Sequence, residues 1–177
     1  MILKKAIITN FRGINGSITV HFDIFNCIVG QNDAGKSTIL KALDAALNET
    51  TLTKADYNVA AQNNQISVEL FFDARDKECL LSEEILTTIE DEELLNAEGL
   101  LAWKKVWNVT ETNVTKPKTS FVRKKYDGNN DFICKTEAQL IAQCNANQIS
   151  TSKGNGEAYN NVEKRQKLRE FNQENNI

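Results

Sequence analysis

The chain has a single histidine, His21, and its four cysteines form no C-x-x-C pair. A zinc site or a disulfide framework needs closer grouping than Cys27, Cys79, Cys134 and Cys144 provide, so these thiols read as reduced and structural. No apolar run approaches the roughly 18–20 residues that span a bilayer. The start, Met1-Ile2-Leu3-Lys4-Lys5, has no apolar leader with a small-residue cleavage site. These absences exclude the small secreted scaffold and the helical membrane protein, and the expected location is the cytoplasm with no membrane partner. No internal repeat is present. What remains is a chain of 177 residues, 41% hydrophobic and 25% charged, which suits one ordinary folded domain.

The net charge of −3 is unevenly spread. Acids dominate from Asp73 to Glu98, with the run Glu90-Asp91-Glu92-Glu93. Bases dominate from Lys104 to Lys125, including Lys116, Lys118, Arg123 and Lys124. Two solvated faces that partly neutralise each other are the simplest reading. A nucleic-acid or partner-binding edge at 104–125 is the sharper one.

Periodicity predicts the elements. Leu3 to Asn10 and Ser17 to Phe22 alternate as strands. Phe25-Asn26-Cys27-Ile28-Val29 is short and mostly apolar, the pattern of a strand buried on both faces of a sheet. From Lys36 the spacing of Ile39, Leu40, Leu43, Ala46 and Leu47 turns helical. Ile66 to Phe72 is a further strand, and Ser82 reads as the N-cap of a helix running to about Asn96. Leu101–Thr110, Thr119–Tyr126 and Phe132–Cys134 read as a small antiparallel meander. Glu137–Asn147 is a helix, 148–161 a polar loop, and Val162–Phe171 a charged helix whose few apolar anchors suggest a partner outside the chain.

One segment carries chemistry. Gly30-Gln31-Asn32-Asp33-Ala34-Gly35-Lys36-Ser37 matches G-x-x-x-x-G-K-[ST] in full, between an apolar run and a helix. Gly30 and Gly35 allow positive φ and close backbone approach, so the loop can wrap a phosphate chain. The motif predicts that the backbone N–H groups of Asn32, Asp33, Ala34 and Gly35 point inward as an anion nest, backed by the positive end of the helix. Lys36 reaches the β- and γ-phosphates, Ser37 coordinates Mg²⁺ and Thr38 donates to the α-phosphate. ATP with Mg²⁺ is the ligand these residues predict. A carboxylate for hydrolysis is less visible. Asp73 ends the run Val68-Glu69-Leu70-Phe71-Phe72, but Ala74 follows it, and a surface Asp closing an amphipathic strand explains it as well.

Together with Ile7-Ile8-Thr9-Asn10-Phe11-Arg12-Gly13-Ile14, the stretch Ile28 to Leu43 resembles the N-terminus of an ABC-type ATPase of the RecF/SMC group. Asn-Asp-Ala-Gly-Lys-Ser is most similar to the OLD (overcoming lysogenization defect) family of ATP-dependent endonucleases, many of whose relatives serve in anti-phage defence. The close match covers roughly residues 3–48. The resemblance implies an α/β P-loop NTPase with an ABC-type head and a mixed sheet, to which the meander is added. It implies an ATPase over residues 1–150, then a linker and charged helix over 151–177 leading to a further C-terminal part. It also implies a homodimer with nucleotide sandwiched between heads, Arg12 near the nucleotide as a phosphate contact, DNA as the target of the full-length protein and a defence-system partner. No Ser-Gly-Gly signature or Toprim acidic cluster occurs in this stretch, so the expectation is an N-terminal portion that binds nucleotide better than it hydrolyses it. Two other readings stay open: a RecF/SMC-like DNA-binding or repair ATPase without a nuclease, and a small P-loop kinase or GTPase. The last is weakened because no Asn-Lys-x-Asp guanine-reading motif occurs.

Overall fold

A computed structural model describes residues 1–31, 35–48, 50–75, 77–82 and 85–175. Its contacts divide into two compact units, residues 1–75 with 94–123 and residues 76–93 with 124–177.

The first unit is built on a five-stranded sheet. Strands β1 (Ile2–Thr9), β2 (Ser17–His21) and β3 (Gln65–Asp73) appear where alternation predicts them. Strand β6 (Leu101–Asn108) and the short β7 (Lys118–Phe121) complete the sheet in the order β2-β1-β3-β6-β7. The period of two turns Ala6, Ile8, Ile66, Val68, Leu70 and Trp107 to one face, where they are all but fully buried. Helix α1 (Lys36–Leu47) packs there through Ala42, Ala45 and Ala46. Alanines at those three positions let the helix backbone approach the sheet closely. The opposite face is more polar: Lys5 lies over the Phe71 ring at 4.2 Å and pairs with Glu98 at 2.8 Å.

Every named strand pair is antiparallel, which corrects the expected mixed sheet. The separate meander is corrected with it, because β6 pairs along β3 from Gln65↔Asn108 to Phe72↔Leu101 and so extends the main sheet. The expected strand 25–29 does not form. Local bonds hold its entry instead: Asp23 Oδ1 accepts from the Ile24 N–H at 2.8 Å, and Asn26 Oδ1 accepts from the Asp23 N–H at 2.9 Å. Short polar side chains of this kind compete with a strand ladder for the backbone. Ile24, Phe25 and Val29 are 89%, 86% and 85% exposed, and Cys27 is exposed rather than lodged in a strand.

In the second unit the helix expected over Ser82–Asn96 is a β-hairpin, β4 (Glu78–Ser82) against β5 (Ile85–Thr88). Thr87 and Thr88 are β-branched and stiff at χ1, which favours the strand. The acidic run after them lies in turns, where Thr88 Oγ1 accepts from the Asp91 N–H at 2.9 Å. Phe132–Cys134 is a 3₁₀ turn rather than a strand. It follows a turn held by Asp127, whose Oδ1 accepts from the N–H groups of Asn129 and Asn130. Helices α2 (Glu137–Ala146) and α3 (Asn161–Asn175) follow. Helix α3 has its partner within the chain: Leu168 closes a small core with Phe132, Leu140 and Cys144. Its basic residues are also engaged, Arg165 with the buried Glu92 at 2.8 Å and Lys164 with Glu137 at 2.8 Å. Burial pushes the Cys144 thiol above its ordinary pKa, keeping it protonated and inert. None of the four cysteines is joined in a disulfide.

Candidate nucleotide-binding loop

The site lies in the first unit, where the chain leaves the exposed segment 24–29 and enters α1. Gly35 is the N-cap of α1 with φ 83° and ψ 7°, the left-handed conformation that a Cβ disfavours. Among the described residues no side chain caps the helix and no acid occupies its first turn. Among the described residues the positive end of α1 therefore meets no internal anion. Lys36, the first helical residue, folds back across the loop. Its Nζ donates to the Gly30 carbonyl at 2.6 Å and to the Gln31 carbonyl at 2.5 Å. The N–H of Thr38 donates to the Gly35 carbonyl at 3.0 Å, which fixes the first turn. Ser37 is exposed beside it.

The structure sets Lys36 against Gly30 and Gln31 and Thr38 against Gly35, with Ser37 exposed on the same turn. The expected contacts of Asn32, Asp33 and Ala34 lie outside the described residues. The donor set suits an oligophosphate: a flexible ammonium, an open helix start and no nearby carboxylate within the first turn. Ser37 on that turn would carry the metal's hydroxyl ligand. Among the described residues no group of three or more His, Cys, Asp or Glu side chains gathers as an independent metal site.

Arg12 is placed differently. It follows β1 in a left-handed turn with φ 51°, and its Nε and Nη2 donate to Asp56 Oδ1 at 2.8 and 2.7 Å. No bond from Arg12 to the loop is present among the described residues. Asp56 belongs to a capping box: Thr53 N–H donates to its Oδ2 at 2.9 Å. Asn58 Nδ2 donates to the Arg12 carbonyl at 2.6 Å, so both ends of the turn are tied to residues 56–58. The sequence reading singled out neither Asp56 nor Asn58. The signal for Asp56 was there in Thr53-x-x-Asp56, a capping-box spacing.

Burial works against the Asp56 charge, but the Thr53 N–H and the Arg12 guanidinium outweigh it and hold the carboxyl below its ordinary value of 3.8. A carboxylate with a depressed folded-state pKa stabilises the fold above its unfolded value and stops doing so as pH falls through the folded one. Asp56→Asn is therefore expected to cost about 1.5–3 kcal/mol at pH 7, the usual range for bonds to a charged group. The difference from wild type in urea unfolding should shrink as pH drops below about 4. A pH-independent difference would remove the ionised Asp56 from the account.

Asp73, the candidate hydrolytic carboxylate, ends β3 beside Arg75, with 3.3 Å between Oδ2 and Nη2. Hydrogen bonding to Arg75 holds its carboxyl below the ordinary value.

A glycine-bounded loop, an uncapped helix start and a lysine reaching back across the loop define a P-loop nucleotide-binding protein. A family model described as an AAA ATPase domain matches residues 1–177, and the chain belongs to that family. It is accordingly a nucleotide-binding ATPase domain. No curated protein matches the chain. Among the described residues no helix is long and apolar enough to cross a membrane.

Proposed function

We propose that the chain is the ATP·Mg²⁺-holding part of an OLD-like ATP-dependent DNA endonuclease in anti-phage defence, with an ABC-type head that gates a separate nuclease centre. The observation that carries the nucleotide reading is the left-handed Gly35 cap, which opens the α1 N-terminus while Lys36 spans the loop from Gly30 to Gln31. Family membership supports an ATPase. The endonuclease and defence roles, like the nucleotide-sandwiched homodimer, rest on the resemblance of Asn10-Phe11-Arg12-Gly13 and of the loop sequence Asn32 to Ser37. Arg12 would contact phosphate through Nη1, the nitrogen that Asp56 does not engage.

In this reading Lys36 neutralises the β- and γ-phosphates, the first N–H groups of α1 hold phosphate oxygens, and Ser37 orients Mg²⁺. Calorimetric titration with ATP tests it. Wild-type chain should bind ATP more tightly with Mg²⁺ than with EDTA, and Ser37→Ala should lose that increment. Preference for GTP, or Mg²⁺-dependence unchanged in Ser37→Ala, would count against it. Within the first unit, DNA contact through 104–125 would fall to the exposed Lys116 and Lys118, because Lys104 lies 3.7 Å from Glu69. Such contact should weaken steeply between low and moderate salt as counterions return to the duplex. Binding indifferent to salt would rule that edge out.

A further inference from the structure

Three successive inward positions of β6 carry hydrogen-bond donors that find no acceptor. Trp103, Lys105 and Trp107 face the same way by the period of two, across from Leu70, Val68 and Ile66 of the core. Lys105 is only 9% exposed, yet among the described residues its ammonium has no ion pair and no hydrogen bond. The indole N–H groups of Trp103 and Trp107 are buried and equally without an acceptor. Burying an unpaired polar group costs free energy, and burying an unpaired charge costs most. The missing group is therefore an acceptor, and against an ammonium it is an anion.

The surroundings fix its kind. On β7, Thr119 lies directly across from Lys105 and Phe121 across from Trp103, and such direct partners share a face of the sheet. Both are exposed, Phe121 at 55%, so this face is open to solvent at the β7 edge. The Lys105 ammonium keeps contact with solvent there, unlike the two indole nitrogens. By the same alternation Lys104 and Lys118 stand on the opposite face. Among the described residues of β6 and β7, Lys105 is thus the lone cation on this side. A nucleic acid needs a row of cations, and a phosphate dianion would keep one charge unmatched. A carboxylate has one charge and two oxygens, enough for the ammonium and the Thr119 hydroxyl together. The rings of Trp103 and Phe121 offer apolar area to the body that bears it.

We propose that the β6–β7 edge binds a small organic carboxylate with an apolar or aromatic body, its carboxylate on Lys105 and Thr119 and its body against Trp103 and Phe121. This goes beyond the nucleotide reading and does not depend on it.

Trp103 and Trp107 are the only tryptophans of the chain, so intrinsic fluorescence reports on this site. The whole chain is titrated with phenylacetate in a Lys36→Ala background, which removes the P-loop cation. Emission should change saturably in roughly the millimolar range, as one charge-assisted bond and one stacked ring warrant. Lys105→Met keeps the buried stem without the charge and should weaken binding at least about tenfold. Phenethyl alcohol, the same body without the charge, should bind at least about tenfold more weakly than phenylacetate. Phe121→Ser changes an exposed side chain, so circular dichroism should stay at the wild-type spectrum. It should weaken phenylacetate and leave acetate unchanged. With Lys36 restored, Lys105→Met should bind ATP as wild type does, so failure of one reading is separable from failure of the other. No saturable change in emission, inorganic phosphate binding as tightly as phenylacetate, or affinity undiminished in either Lys105→Met or Phe121→Ser would each overturn the proposal.

Discussion

Lys36→Ala should weaken ATP binding by roughly ten- to a hundredfold, the factor expected for losing charge-assisted hydrogen bonds of about 1.5–3 kcal/mol. The ammonium is the fixed positive charge that the loop places over its own rim, 2.6 Å from the Gly30 carbonyl and 2.5 Å from that of Gln31. Alanine keeps the helix start and the Gly35 cap, so the loss should fall on affinity and not on folding. Lys36→Arg sharpens the test. Guanidinium carries the same charge, but its planar fork does not reproduce a compact ammonium reaching between two carbonyls. It should recover little of the affinity. Isothermal calorimetry with ATP and Mg²⁺ reads both variants, and wild-type affinity in Lys36→Ala would end the phosphate-cradle account.

Trp107→Ala should destabilise the first unit by about 3–5 kcal/mol. That is a large share of the roughly 5–15 kcal/mol typical of a whole domain. Trp107 is 1% exposed, and β6 sets it across from Ile66 in the core that α1 covers. Truncation leaves a cavity that strands paired on both sides cannot collapse into. Its indole N–H has no partner in the interior. Trp107→Phe, which keeps most of the apolar bulk and removes that unsatisfied donor, should therefore cost much less than the alanine variant. Urea denaturation followed by circular dichroism measures the pair. An alanine variant within about 1 kcal/mol of wild type would mean that Trp107 is not the core anchor its burial indicates.

Legibility from sequence followed the number of faces each element buries. Strands β1, β2, β3 and β6, and helices α1 and α2, each present a regular pattern with one dominant buried face, such as Ala6 and Ile8 or Leu140 and Cys144. The errors came where the pattern depended on neighbours. Phe25 to Val29 reads as a doubly buried strand, but that state needs a strand on each side, and Asp23 and Asn26 bind the backbone locally instead. Ser82 to Asn96 has enough apolar spacing for a helix, yet Thr87 and Thr88 prefer the extended chain. In the site, the pattern from Gly30 to Thr38 stands out in the sequence because it is contiguous, although Asn32, Asp33 and Ala34 lie outside the described residues. The partner of Arg12 was not, since Asp56 lies 44 positions away and a pairing over that distance leaves no period.

The loop's lysine also makes the site a judge of charge density. Two amide oxygens already occupy Lys36, so any ligand must offer it oxygens more negative than those of a peptide carbonyl. Adenosine cannot, and a monophosphate does so weakly. Each added phosphoryl group widens the margin by which exchange is favoured. The protein should thus grade its ligands by phosphate number before it reads the base.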